Sequence, residues 1–225
     1  YWRDWSSDVC SSDLKGCENG EFESDLTICL SPCADELFVA DFFNHRIQVF
    51  QASTGAYLRT YGSQLGWSDL VQNTYYRYPR AIYVTEDDKL YVAISDTNTI
   101  HHLVTIYVLR ASDGSIIRRY ESHAINTINC IHVSNGIMHV LDSGVGCIHH
   151  IREADGVCLR SIGSKQDSIS RFEIVEFTFD YPIGLYVTDK EVIVADTYNN
   201  RILGFECKME GISLPEVMPD MITIS

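Results

Sequence analysis

Glu36-Leu-Phe-Val-Ala-Asp-Phe-Phe-Asn-His-Arg-Ile-Gln-Val-Phe50 decides the fold, because weaker copies of it recur three more times along the chain. In an extended segment Leu37 and Val39 point to one face and Phe38 and Ala40 to the other, so both faces are apolar and the strand reads as buried on both sides. Asp41 ends it. Asn44 and His45 then supply a polar turn, in which Asn tolerates the left-handed conformation, and Arg46 to Phe50 returns as a second strand.

The copies are Leu90-Tyr-Val-Ala-Ile-Ser-Asp96, Met138-His-Val-Leu-Asp142 and Val192-Ile-Val-Ala-Asp196, the last followed by Tyr198-Asn199-Asn200-Arg201-Ile202. The marker residues Asp41, Asp96, Asp142 and Asp196 stand 55, 46 and 54 residues apart, close to the roughly 40–50 residues of a four-stranded propeller blade. A strand of the form aliphatic, variable, aliphatic, hydroxyl precedes each hairpin: Ile28-Cys-Leu-Ser31, Ile82-Tyr-Val-Thr85, Ile131-His-Val-Ser134 and Leu185-Tyr-Val-Thr188. A fourth strand follows in three copies, at Tyr57–Gly62, Ser115–Tyr120 and Val157–Gly163, each after Gly55, Asp113-Gly114 or Asp155-Gly156. Asp-Gly is a tight-turn signal, so each unit is four antiparallel strands, the composition of one blade.

At these residues the chain resembles the NHL-repeat family, whose blades carry a Val-Ala-Asp strand end followed by Asn-His-Arg-Ile-x-Val-Phe. Asn44-His45-Arg46 and Asn199-Asn200-Arg201 match that pattern. In the second copy Asp96-Thr-Asn-Thr-Ile-His-His carries an extra stretch, and in the third Ser143-Gly-Val-Gly-Cys replaces the polar turn. The resemblance implies an all-β propeller of the NHL/TolB-like six-bladed type, with about four blades present as an open partial ring. An open ring leaves flanks uncovered, with some of Phe38, Ile47, Ile193 and Ile202 expected there.

The organisation along the chain follows. Residues 4–14, Asp-Trp-Ser-Ser-Asp-Val-Cys-Ser-Ser-Asp-Leu, resemble the translation of a common sequencing adaptor, so residues 1–14 are set aside as an artefactual segment. Residues 15–24 are expected to be a disordered lead-in, 25–205 the propeller, and 206–225 an irregular tail interrupted by Pro215 and Pro219.

The whole chain carries a formal charge of −14, and −12 without residues 1–14. Nucleic-acid affinity rests on Lys and Arg neutralising phosphates, so an acidic balance argues against a phosphate-binding surface. No apolar run of about 18 residues exists to span a membrane. Cys17, Cys29, Cys33, Cys130, Cys147, Cys158 and Cys207 are odd in number and irregularly spaced, which fits reduced thiols and favours a cytoplasmic compartment.

Two groups of residues could carry binding or chemistry. The long connection from Gly62 to Tyr78 lies between the outer strand of one unit and the inner strand of the next, which makes Trp67, Tyr75, Tyr76 and Tyr78 a candidate recognition patch. Aromatics there equally serve to cover the joint between blades. His101-His102 and His149-His150 fall on or near third strands, whereas zinc ligands in a propeller converge from inner strands around the axis. His132 alone among these sits on an inner strand, aligned with Cys29, Tyr83 and Tyr186, so no metal or cofactor is expected. Because Asp41 with Arg46 and Asp196 with Arg201 repeat with the blade, they read as turn-bridging pairs and not as catalysts. The reading is a scaffold for a protein or peptide ligand without enzymatic activity. The resemblance further suggests the substrate-recognition part of a ubiquitin-ligase-like or signalling protein. The alternative is a metal-dependent lyase or hydrolase similar to the peptide-amidating lyases.

Overall fold

In a computed structural model of the chain, the residues described are 16–23, 25–62, 77–96, 103–165, 178–188, 190–206 and 223–224. The first blade comprises β1 (Leu26–Leu30), β2 (Glu36–Asp41), β3 (Arg46–Gln51) and β4 (Tyr57–Tyr61), paired in that order. The second comprises β5 (Arg77–Val84), β6 (Lys89–Asp96), β7 (Val104–Arg110) and β8 (Ile116–Ser122). The third comprises β9 (Ile128–Ser134), β10 (Ile137–Asp142), β11 (Cys147–Arg152) and β12 (Cys158–Ile162). Two-residue strands β13 (Ser164–Lys165) and β14 (Thr178–Phe179) pair in parallel. The fourth blade then shows β15 (Pro182–Val187), β16 (Glu191–Asp196) and β17 (Arg201–Glu206), and β18 (Thr223–Ile224) adds to the edge of β8.

The four meanders share one construction. The inner strands β1, β5, β9 and β15 neighbour one another in chain order, so the blades stand side by side around an axis. Between the third and fourth strands of the first three blades, Gly55, Gly114 and Gly156 adopt φ of 71°, 74° and 72°. Each donates its N–H to the last residue of the preceding strand, at 2.8 Å, to Gln51, Arg110 and Arg152. Only a residue without Cβ takes that conformation at no steric cost.

Alternation along the strands supplies a core on each side of every internal blade. On β6, Leu90, Val92 and Ile94 meet Phe38, Ile47 and Val49 of the first blade. Tyr91 and Ala93, on the other face of β6, meet Ile131, Val133, Met138 and Val140 of the third. Leu141, Ile148 and Phe179 pack with Leu185, Val187, Val192 and Val194 of the fourth. Hydroxyl latches reinforce two of these joints: Tyr61 donates to the Ala111 carbonyl at 2.7 Å, and Tyr120 donates to the Glu153 carbonyl at the equivalent place.

Among the described residues, apolar side chains are exposed at both ends of the arc. On the first blade Leu26, Ile28 and Leu30 are 45%, 64% and 49% exposed. On the fourth Tyr186 and Ile202 are 59% and 77% exposed, and Ile193 is half-buried. Phe38 and Ile47, placed by sequence among the possible uncovered residues, are fully buried because they face the second blade. The lead-in is also ordered where the sequence suggests disorder. Residues 16–23 lie along the hairpin of the first blade, where Phe22 packs 5.6 Å from the Phe50 ring and the Gln48 amide donates to the Glu21 carbonyl at 2.7 Å.

Candidate functional site

The marker aspartates organise one rim of the arc. Asp41 is fully buried and accepts from Asn44 Nδ2 and Arg46 Nε, both at 2.9 Å, and from the Glu23 backbone N–H at 3.2 Å. Asp196 repeats this with Asn199 at 2.9 Å, Arg201 at 2.7 Å and the Asp180 N–H at 2.8 Å. The arginines also donate to the incoming chain: Arg46 to the Cys17, Glu18 and Glu21 carbonyls, and Arg201 to that of Thr178. The carboxylate therefore does more than span its own turn. It ties the hairpin to the segment that leads into the same blade, and its charge is satisfied by hydrogen bonds from within the fold. The left-handed residue of each turn is the one before the arginine position: His45 at φ 54°, Gly146 at 65° and Asn200 at 51°. Asn44, suggested for that role by sequence, instead spends its side chain on Asp41.

The third blade keeps the device with different chemistry. Asp142 accepts the Asn126 and Thr127 backbone N–H groups at 2.7 and 2.9 Å, but Cys147 occupies the position of the arginine. His149, two residues on, supplies the cation, with Nε2 3.6 Å from Asp142 Oδ2, 3.3 Å from Cys147 Sγ, and Nδ1 2.8 Å from Ser161 Oγ. Burial works against a charged imidazole here, yet Asp142 and the thiols of Cys147 and Cys158 outweigh it and hold His149 up to about 11. Of the remaining marker, Asp96 in the second blade, the backbone is described, paired with Arg77 at the end of β6.

Tyr78 stacks on Phe42 with ring centroids 4.5 Å apart and lies 4.8 Å from the His45 ring. It thus covers the joint between the first two blades. Trp67, Tyr75 and Tyr76, together with His101 and His102, lie outside the described residues. Across the third blade His132, His139 and His150 form a row of cross-strand neighbours on the face turned to the fourth. His132 sits between Tyr83 and Tyr186 at the inner wall, with ring centroids 4.5 and 5.9 Å away. Burial, then the neighbouring imidazoles and Arg160, push His139 down to about 3; burial and Arg160 push His150 down to about 4. Among the described residues no group of three His, Cys, Asp or Glu side chains is arranged to hold a metal ion. No helix among them is long and apolar enough to cross a membrane.

A cleft of about 530 Å³ opens at the opposite rim, between the first two blades. Its walls are the turn Ser31–Asp35 and the turn Thr85–Asp88; Phe38, Val84 and Ala111 form its apolar part. Glu36 is held by Arg59 through two hydrogen bonds of 2.6 and 2.7 Å. Asp35, Glu86 and Asp88 are exposed, and among the described residues no cation lies within ion-pair distance of them. Sequence reading missed this feature, since its residues come from two turns that are ordinary in isolation.

The NHL repeat family matches residues 179–205. No curated protein matches the chain in sequence. Among solved structures, a Bacteroides caccae protein of unknown function superposes with TM-score 0.55 at 14% identity, covering 83% of this chain and 59% of its own. Myxococcus xanthus glutaminyl cyclase superposes with TM-score 0.52 at 10% identity, over 80% of this chain and 72% of that one. The Cps50 (Swd1) β-propeller domain of Myceliophteria thermophila gives TM-score 0.50 at 13% identity, over 88% and 56%. At such identities the likeness concerns the fold alone, and the chain spans little more than half the length of the first and third of these structures. The family match falls on the blade whose hairpin repeats the network of the first: the chain is a β-propeller whose fourth blade carries an NHL repeat.

Proposed function

We propose that this propeller is a protein-interaction scaffold that recognises a substrate protein or peptide for ubiquitin-ligase-like or signalling machinery, and is not itself an enzyme. The observation that carries this reading is how the conspicuous charged residues are used. Asp41, Arg46, Asp196 and Arg201 are consumed in holding hairpins to their lead-in segments. What remains for function is surface: turns at the blade rims and a cleft between two blades. Binding residues displayed on turns of a rigid scaffold are the ordinary use of such an architecture.

The test is crosslinking mass spectrometry of the tagged chain in cells. Partner peptides crosslinked to rim turns, and lost in an Asp41→Ala variant whose first hairpin is disrupted, are the expected result. Ubiquitin transfer to a recovered partner then separates the ligase-associated role from other signalling. Crosslinks spread without preference over blade faces and rims would overturn the scaffold reading. Turnover of a small substrate by the purified chain would favour the lyase or hydrolase alternative.

A further inference from the structure

The joint between the first two blades and the joint between the second and third are built on the same plan. In each, the first residue of the blade's second strand faces the outer turn of the next blade: Glu36 faces Ala111 at one joint and Lys89 faces Glu153 at the other. The backbone fixes the equivalence, since Ala111 donates its N–H to the Asp88 carbonyl at 2.9 Å and Glu153 to the Gly136 carbonyl at 2.8 Å. The tyrosine latches fall on the same two residues.

The contents of the two joints differ. At the second, the Lys89 ammonium bonds Glu153 Oε1 at 2.7 Å and Asp87 Oδ2 at 2.8 Å, bridging the gap. At the first, glutamate replaces the lysine and alanine replaces the glutamate. Glu36 turns back to Arg59 of its own blade, whose guanidinium also donates to the Ala111 carbonyl at 2.9 Å, and the short Ala111 side chain leaves the space beside it as the cleft of about 530 Å³. That volume lies in the range of ligand-sized pockets, roughly 300–1,000 Å³. Its mouth carries Asp35, Glu86 and Asp88, and the sequence as a whole is acidic at −14.

We propose that this cleft receives a lysine or arginine side chain from an extended basic segment of a partner protein, resting on the scaffold reading above. The guest's cation pairs with the carboxylates at the mouth, outward of the Arg59 guanidinium that already bonds Glu36 and the Ala111 carbonyl. The guest's methylene stem lies along Val84 and Ala111 while the charged head reaches the carboxylates at the mouth, the usual division of labour for a long basic side chain. Carboxylates around a low-dielectric recess also focus the field and speed capture of a cationic segment.

The test is fluorescence anisotropy with a fluorescein-labelled nonalysine peptide, and a nonaglutamate peptide as its counterpart. Nonalysine binds and nonaglutamate does not. The double variant Asp35→Asn/Glu86→Gln weakens nonalysine binding tenfold or more. The variant Glu23→Gln/Asp25→Asn removes the same charge at the opposite rim of the first blade and changes binding less than twofold. Both pairs are exposed side chains, and circular dichroism melting confirms that the variants are folded. A bromoacetyl group on the nonalysine supplies a second readout: it alkylates Cys33, at the cleft, faster than Cys17, which is also exposed. Equal weakening by both double variants, equal alkylation of the two thiols, or no nonalysine binding overturns the proposal. Partner crosslinks at other rim turns together with a negative peptide result would leave the scaffold reading standing and the cleft unassigned.

Discussion

The first and fourth blades carry nearly the same hairpin and meet opposite surroundings. Asp41-Asn44-Arg46 and Asp196-Asn199-Arg201 form the same hydrogen-bond network, with both carboxylates fully buried. Ile47 and Ile202 follow the two arginines, yet Ile47 is 0% and Ile202 77% exposed. The same holds one strand inward, where Phe38 is buried and its counterpart Ile193 only half so. Both isoleucines point toward where the next blade stands. The first blade has such a neighbour, and the fourth has none among the described residues. A hairpin motif thus fixes its own turn and leaves the burial of its outer face to whatever packs there.

The largest test of the shared part is Asp41→Ala. It leaves Arg46, Asn44 and the Glu23 N–H without their acceptor, and loss of one partner from a buried, hydrogen-bonded pair costs about 3–5 kcal/mol. Urea denaturation is expected to show that loss, and a smaller one for Asp196→Ala, whose arginine ties down less of the lead-in chain. Equal losses would mean that residues 16–23 contribute nothing to the first blade.

Ile47→Ala tests the part that differs. Removing a fully buried isoleucine at a blade joint is expected to cost about 2–5 kcal/mol by the same measurement.

The third blade extends the comparison to pH. The row Cys29-Phe38-Val49 in the first blade corresponds to His132-His139-His150 in the third and to Tyr186-Ile193-Gly204 in the fourth. All three histidines are held below their ordinary value, His150 to about 4 and His139 to about 3. An unfolded chain binds protons at these imidazoles first. Their contribution is therefore complete above about pH 6.5 and is lost as pH falls through 4 toward 3. Thermal melts from pH 7 to 4 are expected to show falling stability, with a shallower fall in His139→Phe. His149 has the opposite sign, since its value is raised to about 11: its stabilisation is present below 6.5 and disappears as pH climbs toward 11. An unchanged acid slope in His139→Phe would show that the row does not govern acid sensitivity.

The smallest effect is expected at Ile202→Ala. A side chain this exposed should change stability within about 0.5 kcal/mol. A loss comparable with that at Ile47 would reveal a cover over the fourth blade's outer face.

Much of the fold was legible because the hairpin is local. Strand alternation, the Asp-Gly turns and the recurring aspartates are all set within a few residues, and they place the four meanders in register. The turn detail was less legible. Sequence pointed to Asn44 for the left-handed position, whereas His45 takes it, because the Asn44 amide gains more from the buried Asp41 carboxylate. The blade-three variant was harder still: Cys147 and His149 carry no motif, and their relation to Asp142 appears only when β10 and β11 are paired.

By itself the sequence determined what is periodic: an acidic all-β chain of repeated four-stranded units, with a carboxylate at the end of each second strand. Tertiary structure alone decided what each repeated position faces. Whether an isoleucine is core or surface, whether residues 16–23 hang free or pack along Arg46 and Gln48, and whether a joint is filled by an ion pair as at Lys89 or keeps a cleft as beside Ala111 depend on side chains far along the chain, 27 residues away for Glu21 and Gln48 and 64 for Lys89 and Glu153. Such contacts leave no period in the chain, because hydrophobic burial and charge pairing act between surfaces that meet only once the blades are set side by side.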